Sequence, residues 1–70
     1  MGLVWRQRSL DRWAGFDDDG QQVGHVGLVI ADGGQVRYWH GWRRNETPTG
    51  IDLGGFPTAE RAIVAVDEAG

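Results

Sequence analysis

The chain contains no cysteine and no lysine, and only one serine and one methionine among its 70 residues. Without cysteine there is no disulfide and no thiolate metal site, so packing alone must hold the fold. With Ser9 as its only serine and neither Cys nor Lys, it also lacks the usual nucleophiles of covalent catalysis. No apolar run approaches the roughly 18 residues of a membrane span. The opening Met1-Gly2-Leu3-Val4-Trp5-Arg6 has neither a signal-peptide core nor the Ser or Thr that myristoylation needs where Arg6 stands. The expectation is a cytoplasmic chain that touches no membrane.

Seventy residues bound a single domain, expected over 1–70. Hydrophobic residues make up 40%, and four Trp, two Phe and one Tyr supply the bulk from which a core can be built. The formal charge of −3 conceals a segregation. Arg6, Arg8 and Arg12 face only Asp11 in the first 16 residues, and Arg37, Arg43 and Arg44 have no acid near them in sequence. Asp17, Asp18, Asp19 and Asp32 carry the stretch between, and Glu46, Asp52, Glu60, Asp67 and Glu68 outweigh Arg61 at the C-terminal end.

A hairpin is the clearest local pattern. Val26, Leu28 and Ile30 alternate with Gly27, Val29 and Ala31, and after Asp32-Gly33-Gly34 a second alternation runs from Val36 to Arg43. A three-residue loop Asp32–Gly34, with Gly34 left-handed, would set Ile30 opposite Val36, Leu28 opposite Tyr38 and Val26 opposite His40. On the other side it sets Val29 opposite Arg37, Gly27 opposite Trp39 and Val23 opposite Arg43. A two-residue Gly33-Gly34 loop would instead place Ile30 opposite Arg37. The three-residue loop is preferred because it keeps the apolar residues on one face.

Strands are expected over about 3–8, 12–17, 22–31 and 35–43, with a turn at Asp17–Gly20. Residues 43–55 form a polar loop in which Ile51-Asp52-Leu53 could make a short edge strand. A helix follows over about 58–69. Thr58 is a suitable N-cap, Glu60 sits near the positive end of the dipole, and Ala59, Ala62, Ile63 and Val66 form one stripe of small apolar residues. The expected class is α+β: a three- to four-stranded antiparallel sheet with one C-terminal helix packed on one face. One short helix cannot cover both faces, so the register leaves His25, Val29, Arg37, Trp39 and Arg43 on an open face.

Catalytic chemistry finds little support. The same register places His25 and His40 on opposite faces, and His40 is expected to be a histidine at the edge of the core. No catalytic residue, cofactor or metal is expected. Asp17-Asp18-Asp19-Gly20 lacks the alternate-position ligands and closing Glu of a calcium loop, and the glycines precede no helix that could cradle a phosphate.

What remains is the interleaving of Arg and aromatic side chains from Val36 to Arg44. Trp and Arg are the residue types most enriched at interface hot spots. The leading expectation is therefore a non-enzymatic accessory protein that binds an unidentified protein partner, or a second copy of itself, through the open face. The alternative is a nucleic-acid-binding module using Arg6, Arg8, Arg37, Trp39, Arg43 and Arg44. Net acidity decides that order, because binders of polyanions are usually basic.

With strands followed by a helix opened by Gly55-Phe56-Pro57-Thr58-Ala59-Glu60, residues 22–70 resemble the AP2-type arm-binding domains of phage integrases. The resemblance implies a sheet that reads the DNA major groove, with Arg37, Trp39 and Arg43 at the matching positions and Arg6 or Arg8 on a neighbouring strand. The chain departs from that pattern in being acidic and lysine-free. Its short length is similar to that of the small orphan accessory proteins of actinobacterial phages.

Overall fold

In a computed structural model, described over residues 2–69, the chain is an antiparallel meander of five strands followed by one helix. The strands are β1 (Val4–Ser9), β2 (Arg12–Phe16), β3 (Gln22–Ala31), β4 (Val36–Arg43) and β5 (Ile51–Phe56), in spatial order β1-β2-β3-β4-β5. The helix α1 (Ala59–Glu68) follows at once. The sheet thus has one strand more than the upper expectation, because β5 occupies the second half of what was read as the 43–55 loop. Gly54 and Gly55 are poor strand formers and hid it.

Asp17 and Gly20 turn β2 into β3. The Asp17 carboxylate accepts from the amides of Asp19 and Gln21, both at 2.9 Å, and Gly20 takes a φ of 80°. At the other end of the long hairpin, Asp32, Gly33 and Gly34 have φ of 54°, 63° and 94°. Three successive left-handed residues make a tight 3₁₀ turn, and pairing resumes at Ala31 opposite Val36.

That turn is one residue longer than expected, and the consequence runs down the whole of β4. Ile30 pairs with Arg37, Leu28 with Trp39, Val26 with Gly41 and Gly24 with Arg43. Directly paired residues share a face and a shift of one residue swaps faces, so Arg37, Trp39 and Arg43 lie on the helix side. The expected placement of these three on the open face is corrected accordingly. His25 and His40 also share one face, since His40 pairs with Gly27, two residues from His25. The expectation of opposite faces came from the shorter loop.

The helix explains why this register prevails. Thr58 caps it, its Oγ1 accepting from the Arg61 amide at 3.1 Å. Ala62 and Val66 are fully buried against Val26, with Leu3, Trp5, Trp13, Trp39, Leu53, Phe56 and Ile63 packed around them. Beneath Val66 the sheet presents Gly24 and Gly41. A Cβ at Gly41 would lie 2.9 Å from Val66 Cγ2, and one at Gly24 would lie 3.0 Å from Val66 Cγ1. Helix and strands therefore meet almost backbone to backbone. In the alternative register His40 would stand where Gly41 does, and the helix could not seat.

Two polar ties fix the far end of the helix. Arg43 Nη1 donates to the Val66 and Asp67 carbonyls at 2.9 and 3.4 Å, where the negative end of the helix dipole favours a cation. The Asp67 carboxylate accepts from the Leu3 amide at 2.6 Å and from Trp5 Nε1 at 3.3 Å, anchoring β1. Arg43, expected at a binding surface, is a capping residue. No helix among the described residues is long and apolar enough to cross a membrane.

Candidate functional site: the helix-free sheet face

The helix lies over β3, β4 and β5 on one side only. The opposite side of the sheet is assembled by register. Arg6 pairs with Ala14 and Ala14 with His25, while Arg12 pairs with Gly27 and Gly27 with His40, which pairs in turn with Gly55. One row across the sheet therefore reads Arg12, Gly27, His40, Gly55. The neighbouring positions on the same side are Phe16, His25, Val29, Tyr38, Trp42 and Asp52. Of the sequence-expected open-face residues, His25 and Val29 are there, and so are Arg6 and Arg8. Arg37 is exposed on the helix side, and Arg44 is exposed just beyond β4. Arg12, Phe16, Tyr38, His40, Trp42 and Asp52 were missed, all for the single reason of the register.

Glycines on this face give the side chains room to lie down. A Cβ on Gly27 would lie 3.1 Å from His25 Cε1, so the His25 ring leans over Gly27 between Arg12 and His40. The Tyr38 ring lies over Gly55, 2.6 Å from where a Cβ would stand. Trp42 is held on the loop before β5. Its Nε1 donates to the Thr49 carbonyl at 2.8 Å, and the indole presses on Gly50. The guanidinium of Arg8 stacks over Phe16 at 5.8 Å from the ring centroid. Ala14 is only 1% exposed although no helix covers it, so its neighbours' long side chains lie across it.

Charge is distributed unevenly. His40 Nε2 and Asp52 Oδ1 are 2.6 Å apart, the one acid–base pair within 4 Å among the described residues. Arg6, Arg8 and Arg12 thus have no carboxylate partner within that range, and Asp52 is the one acid at a face position of the strands. The Asp17–Asp19 turn marks one end of the face, where Asp17 and Asp18 share a groove with Val4, Arg6 and Phe16. Glu60, Asp67 and Glu68 belong to the helix on the other side. Between β4 and β5 a groove of about 560 Å³ is lined by Tyr38, His40, Asp52, Gly54, Gly55, Phe56 and Pro57.

The titratable groups respond to one another. The Asp52 carboxyl sits below its usual value, chiefly because it accepts from the Gly54 amide and secondarily from His40. The His25 pKa is held below its usual 6.5 by partial burial first, then by the Arg12 guanidinium and the His40 ring. Between that lowered value and 6.5 the unfolded chain binds the proton that folded His25 refuses. Its contribution to stability is therefore present above pH 6.5 and is lost as pH falls through that window. Urea midpoints taken from pH 7.5 to 5 are expected to fall less steeply for His25→Gln than for the wild type. Parallel curves would show that His25 is not the group responsible.

Among the described residues no cluster of three or more His, Asp or Glu side chains could hold a metal ion. No protein-family model, curated protein or solved structure matches the chain. The AP2-type resemblance placed its three central contacts at Arg37, Trp39 and Arg43, which the register puts on the helix side, one of them capping the helix.

Proposed function

We propose that the chain is a non-enzymatic binding module that takes a nucleic acid on its helix-free sheet face. The observation that carries this reading is the set of unpaired guanidinium groups, Arg6, Arg8 and Arg12, gathered there with His25, His40, Tyr38, Phe16 and Trp42. Phosphates are met by Arg, and bases or sugars by rings. The net charge of −3 weakens long-range attraction. The acids, however, lie mainly on the helix and in turns, so the local field over β1 and β2 is cationic. A non-catalytic role is favoured by the lack of a nucleophile: Ser9, the one serine, donates its hydroxyl to Asp11 at 2.6 Å in the β1–β2 turn. The nucleic-acid reading goes with a cytoplasmic location.

The register also weakens the case for a protein partner on this face, because the apolar centre expected there was Trp39. A second reading keeps self-association but moves it to the helix side. Beyond the reach of the helix, Leu28 and Ile30 stand beside Trp13 and Trp39, and Ile30 is 56% exposed. Light scattering would report a dimer that Ile30→Glu abolishes.

The test of the main reading is a fluorescence-anisotropy titration of labelled oligonucleotides at about 50 mM salt, repeated as salt is raised. Binding that weakens linearly in log–log form is expected. Absence of binding to single- and double-stranded probes at low salt would remove the proposal.

A further inference from the structure

Resting on that reading, we infer that the ligand is single-stranded, with a backbone phosphate seated between Arg12 and His25 and its base laid against Tyr38 in the β4–β5 groove. Width argues first against a duplex. Five strands at about 4.8 Å spacing make a face about 19 Å across, whereas the major groove is about 12 Å wide and admits a helix or a two-stranded ribbon. The face is too broad to enter the groove, and paired bases would show it only their edges.

Charge then divides the face into two. The cationic side chains Arg6, Arg8 and Arg12 stand on β1 and β2, with His25 leaning over Gly27 toward the same row. Two strands away the groove beside Tyr38 contains Asp52, 69% exposed at its side chain, with one oxygen engaged by His40 and the Gly54 amide. A carboxylate repels phosphate, but it accepts from the N–H groups that every nucleobase carries on its Watson–Crick edge. The row Arg12–Gly27–His40–Gly55 runs from the phosphate side to the base side. Its span from β2 to β4 is about 10 Å, comparable with the reach of one nucleotide. Glycines at two of its four positions keep the path low, and Tyr38 lies over the second, one ring face resting on backbone. A base in a duplex has no free π-face to offer such a ring, whereas an unpaired base does.

The test uses the whole chain with four probes: a 12-nucleotide oligothymidylate, an abasic strand of equal charge, a duplex of equal length, and heparin. The wild type is expected to bind oligothymidylate about ten-fold more tightly than the abasic strand, and more tightly than the duplex. Tyr38→Leu is expected to erase most of the preference over the abasic strand while leaving heparin affinity unchanged. Arg12→Ala is expected to weaken all four. The abasic comparison needs no variant, so a Tyr38→Leu protein that fails to fold leaves the result readable. Equal affinity for abasic strand and oligothymidylate, or tighter binding of the duplex, would overturn the single-strand inference while the charged-face reading stands. Failure of every probe to bind would overturn both.

Discussion

Replacing Gly41 with valine is expected to lower the melting temperature by about 15 °C, the largest stability effect of any single substitution on the sheet. Valine should gain strand propensity over glycine, worth at most about 1 kcal/mol. Against that, its Cβ would stand 2.9 Å from Val66 Cγ2, 3.6 Å from the Phe56 ring and 3.7 Å from the Ala62 carbonyl. The two γ-methyls would reach further into the same space. The helix cannot tilt away from Gly41 without uncovering Val26, Ala62 and Val66, the three fully buried residues of the core. Overpacking of this kind costs about 1–3 kcal/mol and more where the backbone must move, so a net loss of about 3 kcal/mol follows. For a domain of this size each kcal/mol is worth roughly 4–8 °C. Thermal unfolding followed by circular dichroism measures it. A variant melting within about 3 °C of the wild type would mean that the helix does not sit on Gly41.

Removing Arg6 and Arg12 together is expected to weaken single-stranded binding roughly fifty-fold at 50 mM salt. Each phosphate contact contributes a slope of about −0.7 in log affinity against log salt, a factor near eight at that concentration. The double variant should therefore lose about 1.4 from the magnitude of the slope. Its stability should hold, because both side chains are exposed and neither has an ion-pair partner. Arg37→Ala is the matched control: it removes one exposed guanidinium of the same strand system from the helix side. It is expected to leave the salt slope unchanged. A control that loses as much as the double variant would show that binding follows total charge rather than one face.

The helix and the existence of the central hairpin were legible because their signals are local. Thr58, Glu60 and the Ala59–Ala62–Ile63–Val66 stripe specify the helix with no help from the sheet. Strand alternation on either side of Asp32-Gly33-Gly34 specifies the pairing of β3 with β4. The register was not legible, because Asp-Gly-Gly can close a two-, three- or four-residue turn. Asp32 is the only non-glycine with positive φ among the described residues, a cost that the turn accepts to bring Ala31 opposite Val36.

What selects that closure lies some thirty residues away, in Val66 descending onto Gly24 and Gly41. Keeping large apolar side chains together was the wrong criterion. The residues that matter most under the helix are those with no side chain. Once β4 is turned over, Trp39 joins the core and Tyr38, His40 and Trp42 join the open face. A period-two run of Tyr, His and Trp was visible in the sequence, but only the helix says which way it points. The pairing of His40 with Asp52 depended further on β5, whose Gly54 has a φ of 82° and whose pairing with β4 shifts register between Gly41 and Trp42.

The central claim is that the helix-free face holds the ligand, and the four tryptophans provide a direct assay. Trp42 stands on that face, whereas Trp5, Trp13 and Trp39 stand on the helix side. In a proton–nitrogen correlation spectrum each indole N–H gives its own resonance, so a titration with a 12-nucleotide single strand reports both faces at once. The account predicts that the Trp42 indole and the backbone amides of Arg12, His25 and Tyr38 shift progressively, while the other three indoles stay in place. Movement of the Trp13 and Trp39 indoles with Trp42 unperturbed would contradict it and assign the ligand to the helix side.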